Sequence, residues 1–413
     1  MFLHRIIRHN SLWKSVPKGP PDAILGISEA FKRDKNPRKV NLGVGAYRDD
    51  SGKPVILPSV QKAKSLIIKS SDHEYLPIDG LAKFTQLATS LAYSNASPLK
   101  DHRVASIQSI SGTGALRLGM AFIQRFYPHS RRVYIPNPTW GNHKTIIQHA
   151  GLEFQEYPYY DPVTKGLNIE AFLNEIDSAP KNSVFLLHAC AHNPTGVDPS
   201  EDQWKQIQDV MARKQHLAVF DMAYQGFASG DVDKDAYAVR LFANEENPII
   251  VMQSFAKNFG LYGERIGNLS VVCDSKQESD RVLSQLKILA RPMYSNPPIY
   301  GSRIVSEVLG NEELKKQWLV DVKTMADRII SMRNALTTLL KEKGSLHDWS
   351  HITKQIGMFA YTGLHPEHCQ ELMDKHHIYL TMDGRISVAG LNQRNVEYVA
   401  DAIETVTRFK SKL

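Results

Sequence analysis

Apolar residues along this chain gather into short runs that are rich in β-branched and aromatic side chains and that stop abruptly at polar or glycine positions. Five such runs are RVYIPNP (132–138), SVFLLHACAHNP (183–194), HLAVFDMAY (216–224), PIIVMQSFAKN (248–258) and NLSVVCDS (268–275). Runs this continuously apolar fit strands covered on both faces, and stretches between them, such as PSEDQWKQIQDVMARKQ, have helical spacing. The pattern predicts an α/β fold with a sheet between layers of helices. From about residue 312 the spacing becomes helical and stays so through VDVKTMADRIISMRNALTTLLKEKG, ending at Gly344, where a C-cap belongs. Shorter strands and helices follow. The economical division is an arm over residues 1–20, an N-terminal part of a small domain over 21–52, a large domain over 53–320, and a small C-terminal domain over 321–413 entered by the long helix.

The 413 residues, 42% hydrophobic, are enough for a large core and for more than one domain. No apolar run approaches the roughly 20 residues that span a bilayer, so stable membrane insertion is not expected. Cys190, Cys273 and Cys369 are odd in number, widely spaced and without metal-ligand spacing, which argues against a disulfide framework or a zinc site. The net charge of +7 is unevenly placed: residues 1–21 hold Arg5, Arg8, Lys14 and Lys18 and no acid, leaving +3 for the rest. A nucleic-acid partner is therefore not expected. A basic, acid-free segment interleaved with apolar residues reads as a transit segment, with the mitochondrial matrix as destination and the cytoplasm as the alternative.

Ligands of α/β sheets bind beyond the carboxyl ends of the strands, and there this sequence places Asn137, His188, Asn193, Asp221, Tyr224, Ser254 and Lys257. In SFAKNFGLYGERIGN, Lys257 stands eight residues before Arg265. Two cations brought together repel unless an anion lies between them. Ser111, Gly112 and Thr113, in ISGTGALRLGMAFIQRFY, immediately precede a helical pattern, and N–H groups at a helix start bind phosphate. One phosphate could meet Ser111, Gly112, Thr113 and Ser254 with Arg265 as a two-pronged donor. Lys257, desolvated and near that cation, would have a lowered pKa suited to Schiff-base chemistry. Pyridoxal 5′-phosphate supplies phosphate and aldehyde together and needs an acid at its ring nitrogen, a part that Asp221 fits.

At this point the chain resembles the fold-type I aminotransferases of the aspartate aminotransferase family. The resemblance rests on NLGVGAYRDD, HEYLPIDGL, SGTGALR, PTWGNH, HACAHNPTGVDP, DMAYQGFASGD, SFAKNFGLYGERIGN, RPMYSNPP, GMFAYTGL and DGRISVAGL, which together span nearly the whole chain. It implies a large domain with a mostly parallel sheet and a smaller α/β domain. It also implies Lys257 as Schiff-base lysine and proton shuttle, with Asp221 on the pyridine nitrogen and His143 behind it. Asn193 and Tyr224 would hold the ring oxygen and Trp140 would stack on the ring. His188 is expected in the supporting layer and Gly45 at the substrate. Arg385 matches the clamp for the α-carboxylate. Arg291 matches the arginine that takes the distal carboxylate across a homodimer interface, with Tyr75 reaching the partner's phosphate. The implied reaction is transamination between L-aspartate and 2-oxoglutarate, so dicarboxylic amino and oxo acids are the expected small-molecule partners. The bonds Asn137–Pro138 and Asn193–Pro194 are expected to be cis. The alternatives are a broad-specificity aminotransferase or decarboxylase using the same cofactor, and a non-catalytic fatty-acid carrier.

Overall fold

The structure is a computed structural model and describes residues 11–19, 23–68, 72–245 and 247–408. The arm expected over residues 1–20 thus lies largely outside the described residues.

Seven strands form the central sheet: β1 (Val104–Ile110), β2 (Arg132–Asn137), β3 (Glu153–Pro158), β4 (Val184–His188), β5 (Leu217–Met222), β6 (Ile249–Ser254) and β7 (Ile266–Val272). Their order is β1-β7-β6-β5-β4-β2-β3. Strands β6, β5, β4, β2 and β3 run parallel to one another, whereas β7 is antiparallel to both β1 and β6. All five runs picked out by apolar pattern are strands here. Two strands, β1 and β3, lie outside those runs.

Side chains of a strand alternate between its faces, and this alternation sorts the core. Phe185, Leu187, Ala218, Phe220, Ile249 and Val251 pack in one buried cluster. Their immediate neighbours Val184, Leu186, Val219, Ile250 and Met252 pack in another. A strand apolar at consecutive positions is therefore a strand with helices on both sides.

Local signals set the helices. Ser200 caps Glu201–Arg213 in a capping box with Gln203, and Asn311 caps the 31-residue helix Glu312–Glu342. That helix ends just before Gly344, at φ 76°. It packs in a third cluster with Leu42, Leu380 and Ile386. Val40–Asn41 pairs in parallel with Ile378–Tyr379, and Phe359–Tyr361 pairs antiparallel with Arg385–Ser387. Backbone bonds from Leu42 to Tyr379 (2.8 Å) and from Ser387 to Leu42 (2.6 Å) continue this lattice, joining the N-terminal segment to the C-terminal one.

Candidate active site

Strand ends gather the chemistry. At the junction of β1 and β7, Ser111 and Arg265 both adopt left-handed backbone, with φ of 61° and 54°, and the Ser111 N–H donates to the Arg265 carbonyl at 3.0 Å. Such conformations cost free energy in non-glycine residues and persist where the surroundings enforce them. One enforcing contact is glycine's: a Cβ on Gly267 would lie 2.4 Å from the Ser111 carbonyl carbon, so only glycine lets the two backbones come this close. Ser111, Gly112 and Thr113 do not precede the helix, as the sequence pattern suggested, but form the first turn of Ser111–Phe126. The Ser111 and Ser254 hydroxyls stand 3.3 Å apart, and a Cβ on Gly112 would approach Ser254 Cβ to 3.0 Å. Among the described residues, the Arg265 guanidinium donates to the Tyr262 carbonyl (3.1 Å) and forms no ion pair. The result is a helix start, two hydroxyls and a guanidinium without a carboxylate, a set suited to a phosphate.

One cavity of about 190 Å³ is lined by this cradle together with Trp140, Asn193, Asp221, Tyr224, Lys257 and Arg385, and Gly45 closes one side. Among the described residues Lys257 forms no ion pair; its Nζ lies 5.4 Å from the Tyr224 ring centre. Burial lowers its pKa, with Arg265 lowering it further and Asp221 opposing both. Burial likewise pushes the Tyr224 hydroxyl up.

Asp221, at the end of β5, is held by a chain of hydrogen bonds that begins on the backbone. The Asn193 N–H donates to His188 Nδ1 at 3.2 Å. A neutral imidazole that accepts on one nitrogen must donate from the other. His188 is neutral because burial, reinforced by His143, depresses its pKa to about 3. Its Nε2–H therefore donates to Thr139 Oγ1 (3.1 Å), the Thr139 hydroxyl donates to His143 Nδ1 (2.8 Å), and His143 Nε2–H donates to Asp221 Oδ2 (3.0 Å). A single backbone amide fixes the tautomer of both histidines. Burial raises the Asp221 pKa, but the hydrogen bond from His143 and the nearby positive charge, that of Lys257 included, together outweigh it, so the carboxyl sits below its ordinary value. Trp140 meets the His143 ring edge-on at 5.2 Å.

Arg385 is buried and, among the described residues, forms no ion pair with a carboxylate. It donates to the Gly43 carbonyl (3.0 Å) and to Asn193 Oδ1 (3.4 Å), lies 4.2 Å above the Phe359 ring, and leaves its Nε unpaired. A desolvated guanidinium with a free donor suits a carboxylate ligand. Both Asn137–Pro138 and Asn193–Pro194 are cis, as expected.

Of the residues given a role from sequence, His143 and His188 do not line this cavity but stand behind it in the hydrogen-bond chain to Asp221, and Tyr75 and Arg291 do not line it either. Tyr75 is 82% exposed. Arg291 donates to Ser295 Oγ (2.8 Å), and Asn296 donates to the Leu76 carbonyl (2.6 Å), so the two segments share one surface patch. Sequence reasoning assigned no part to Thr139, Phe359 or the Gly43 carbonyl. For Thr139 a signal existed, since a hydroxyl four positions before His143 can reach its ring.

A family profile described as aminotransferase class I and II matches residues 37–403. The mitochondrial aspartate aminotransferase of Gallus gallus is 55% identical over 403 residues, covering 97% of this chain and 95% of that protein. The aspartate aminotransferase structure from the cytoplasm of Saccharomyces cerevisiae has a TM-score of 0.94 at 47% identity, with 97% and 99% of the two chains covered. An aromatic-amino-acid aminotransferase from Burkholderia pseudomallei, covalently bound to pyridoxal phosphate, has a TM-score of 0.93 at 42% identity over 96% of this chain and all of that one. With the profile covering most of its length and the cavity floored by the same motifs, the chain belongs to the class I and II aminotransferases.

Proposed function

We propose that the chain is an aspartate aminotransferase, moving the amino group of L-aspartate to 2-oxoglutarate to give oxaloacetate and L-glutamate with pyridoxal 5′-phosphate as cofactor. The observation that carries this reading is the meeting of Lys257, Asp221 and Arg385 with a phosphate cradle in one cavity. Arg265, which has no ion pair among the described residues, the facing hydroxyls of Ser111 and Ser254, and the space that Gly112 leaves beside Ser254 fit the cofactor's phosphate. The cofactor supplies an aldehyde to capture the amine and a ring that withdraws electrons from the substrate's α-carbon.

Every remaining task falls to side chains. Lys257, its pKa lowered by burial, is more available as a free amine than a surface lysine, and can then take a proton from the α-carbon and return one. Asp221 remains a carboxylate and holds a proton on the ring nitrogen, and the His143–Thr139–His188 chain keeps it aimed. Asn193 and Tyr224 face the ring oxygen, and Trp140 covers the ring. Arg385 orients the α-carboxylate, with Gly45 on the segment that screens the site from water. Arg291 recognises the distal carboxylate of a neighbouring subunit's substrate and Tyr75 meets that subunit's phosphate. Their shared, exposed patch outside the chain's own cavity supports a homodimer with shared sites. We assign residues 53–320 to a large domain bearing the cradle, and 21–52 with 321–413 to a small one bearing Arg385. No helix among the described residues is long and apolar enough to cross a membrane. The acid-free basic N-terminal segment, with mitochondrial forms among the relatives, supports the matrix as location.

Borohydride reduction of the cofactor-loaded protein followed by peptide mapping tests the central assignment. The label is expected on Lys257, and a label on any other lysine overturns it.

A further inference from the structure

We propose a second anion site, for a soluble small molecule bearing at least two phosphate groups, in a basic cavity that shares the 41–48 segment with the catalytic cavity. This cavity, about 770 Å³, lies between the helix Ala23–Arg33, residues 37–52 and residues 390–398. Five cations line it: Lys32, Arg38, Lys39, Arg48 and Arg394. Among the described residues none of the five forms an ion pair.

Nearby acids are already committed. Asp50, the one carboxylate in the lining, is held by Arg328 at 2.9 Å. Asp34 accepts from His377 and Tyr379, each at 2.8 Å. Three of the cations are meanwhile held by uncharged contacts. Lys39 Nζ donates to the carbonyls of Phe31 (2.9 Å) and Asp34 (2.6 Å) and lies 4.5 Å from the Phe31 ring centre. The Arg38 guanidinium rests 4.7 Å from the Tyr398 ring centre, and Arg48 donates to the Gly52 carbonyl at 3.0 Å.

Solvated surface cations repel weakly, and this repulsion is removed at no structural cost by interspersed carboxylates. Here five like charges line one cavity, with Lys32, Arg38 and Arg394 at its exposed rim, while Asp50 and Asp34 serve other partners. Three of the five are arginines, whose planar forks match phosphate oxygens, and at least two phosphate groups are needed to engage cations from three separate segments. A monocarboxylate carries too little charge for this set. The enclosure, bounded on three sides, suits a compact ligand rather than a polymer.

Position gives such a site a consequence. Asn41 and Val44 line the cavity, whereas the Gly43 carbonyl accepts from Arg385 and Gly45 borders the catalytic cavity. One short segment is thus shared between the two spaces.

The test is calorimetric titration of the cofactor-loaded protein with tripolyphosphate at low salt, with succinate at saturation to occupy the dicarboxylate site. One site per chain is expected, weakening as salt rises. In the double variant Arg38→Gln/Arg394→Gln, affinity should fall at least tenfold with the melting temperature unchanged, and Lys32→Gln alone should weaken binding by a smaller factor. Absence of binding, binding displaced by succinate, or equal affinity in wild type and both variants would each overturn the proposal. The readout is binding, so failure of the transamination assignment leaves it intact.

Discussion

Replacing Thr139 by valine deletes one hydroxyl while keeping the shape of the side chain. That hydroxyl stands between two histidines, accepting from His188 Nε2 at 3.1 Å and donating to His143 Nδ1 at 2.8 Å. Both ring nitrogens lose their partner in Thr139→Val, and His143 is free to shift its proton to Nδ1. The hydrogen bond at Asp221 Oδ2 then has no assured donor. A hydrogen bond to a charged group contributes about 1.5–3 kcal/mol. At about 1.36 kcal/mol for each tenfold change in rate, its loss corresponds to a drop of roughly ten- to hundredfold in kcat. The assay is a stopped-flow half-reaction with aspartate, followed by the absorbance of the bound cofactor. Thr139→Ser is the control, because it restores the hydroxyl and should restore the rate. Equal kcat in the valine and serine variants would show that the chain of hydrogen bonds does not support Asp221.

Asp221→Ala should retain cofactor through the phosphate cradle yet lose most turnover, since the electrostatic contribution at stake is several kcal/mol; near-normal kcat refutes the role. In Arg291→Asp, kcat/KM for aspartate and glutamate should fall by several orders of magnitude while that for cationic amino acids falls little or rises. A parallel decline for both substrate classes on one preparation would remove Arg291 from specificity. The folded chain leaves His188 neutral down to about pH 3, whereas the unfolded chain protonates it near 6.5, so stability from this residue is present above 6.5 and is lost as pH falls through that window. Denaturation midpoints of His188→Gln should therefore depend less steeply on pH between about 6.5 and 3 than those of the wild type, and parallel curves contradict the argument.

The parallel middle of the sheet was legible because burial on both faces demands apolar residues at consecutive positions, as in β4, β5 and β6. Strand β1 escaped that filter because VASIQSI interleaves Ser106, Gln108 and Ser109, which bond within the fold: Ser106 to Asn268, and Gln108 to the Pro298 carbonyl. Strand β3, EFQEYP, is at the sheet's edge and carries the polar residues that an edge allows. Site chemistry was legible where a residue type has few other reasons to end a strand, as with Asp221 and Lys257. Thr139 was not, because a threonine in a turn has a local explanation and its partner His188 is 49 residues away. Arg333 was equally silent. It is buried within the long helix, donates to the carbonyls of Ile352, Gly357 and Phe359, and only the fold brings those acceptors to it.

The lattice that joins Leu42 to Tyr379 and Ser387 has a bearing on biogenesis. These contacts bridge well over 300 residues, and the same bridge delivers the Gly43 carbonyl to Arg385. Contacts so distant in sequence cannot form until nearly all of the chain has left the ribosome, and they close slowly because the intervening loop must first be ordered. The sheet between residues 104 and 272 has no such requirement. A nascent chain can therefore bring Ser111, Ser254 and Arg265 together, the phosphate cradle proposed above, before Arg385 reaches the Gly43 carbonyl. Such an intermediate could take up cofactor without the means to orient a substrate, so the capacity to bind precedes the capacity to turn over.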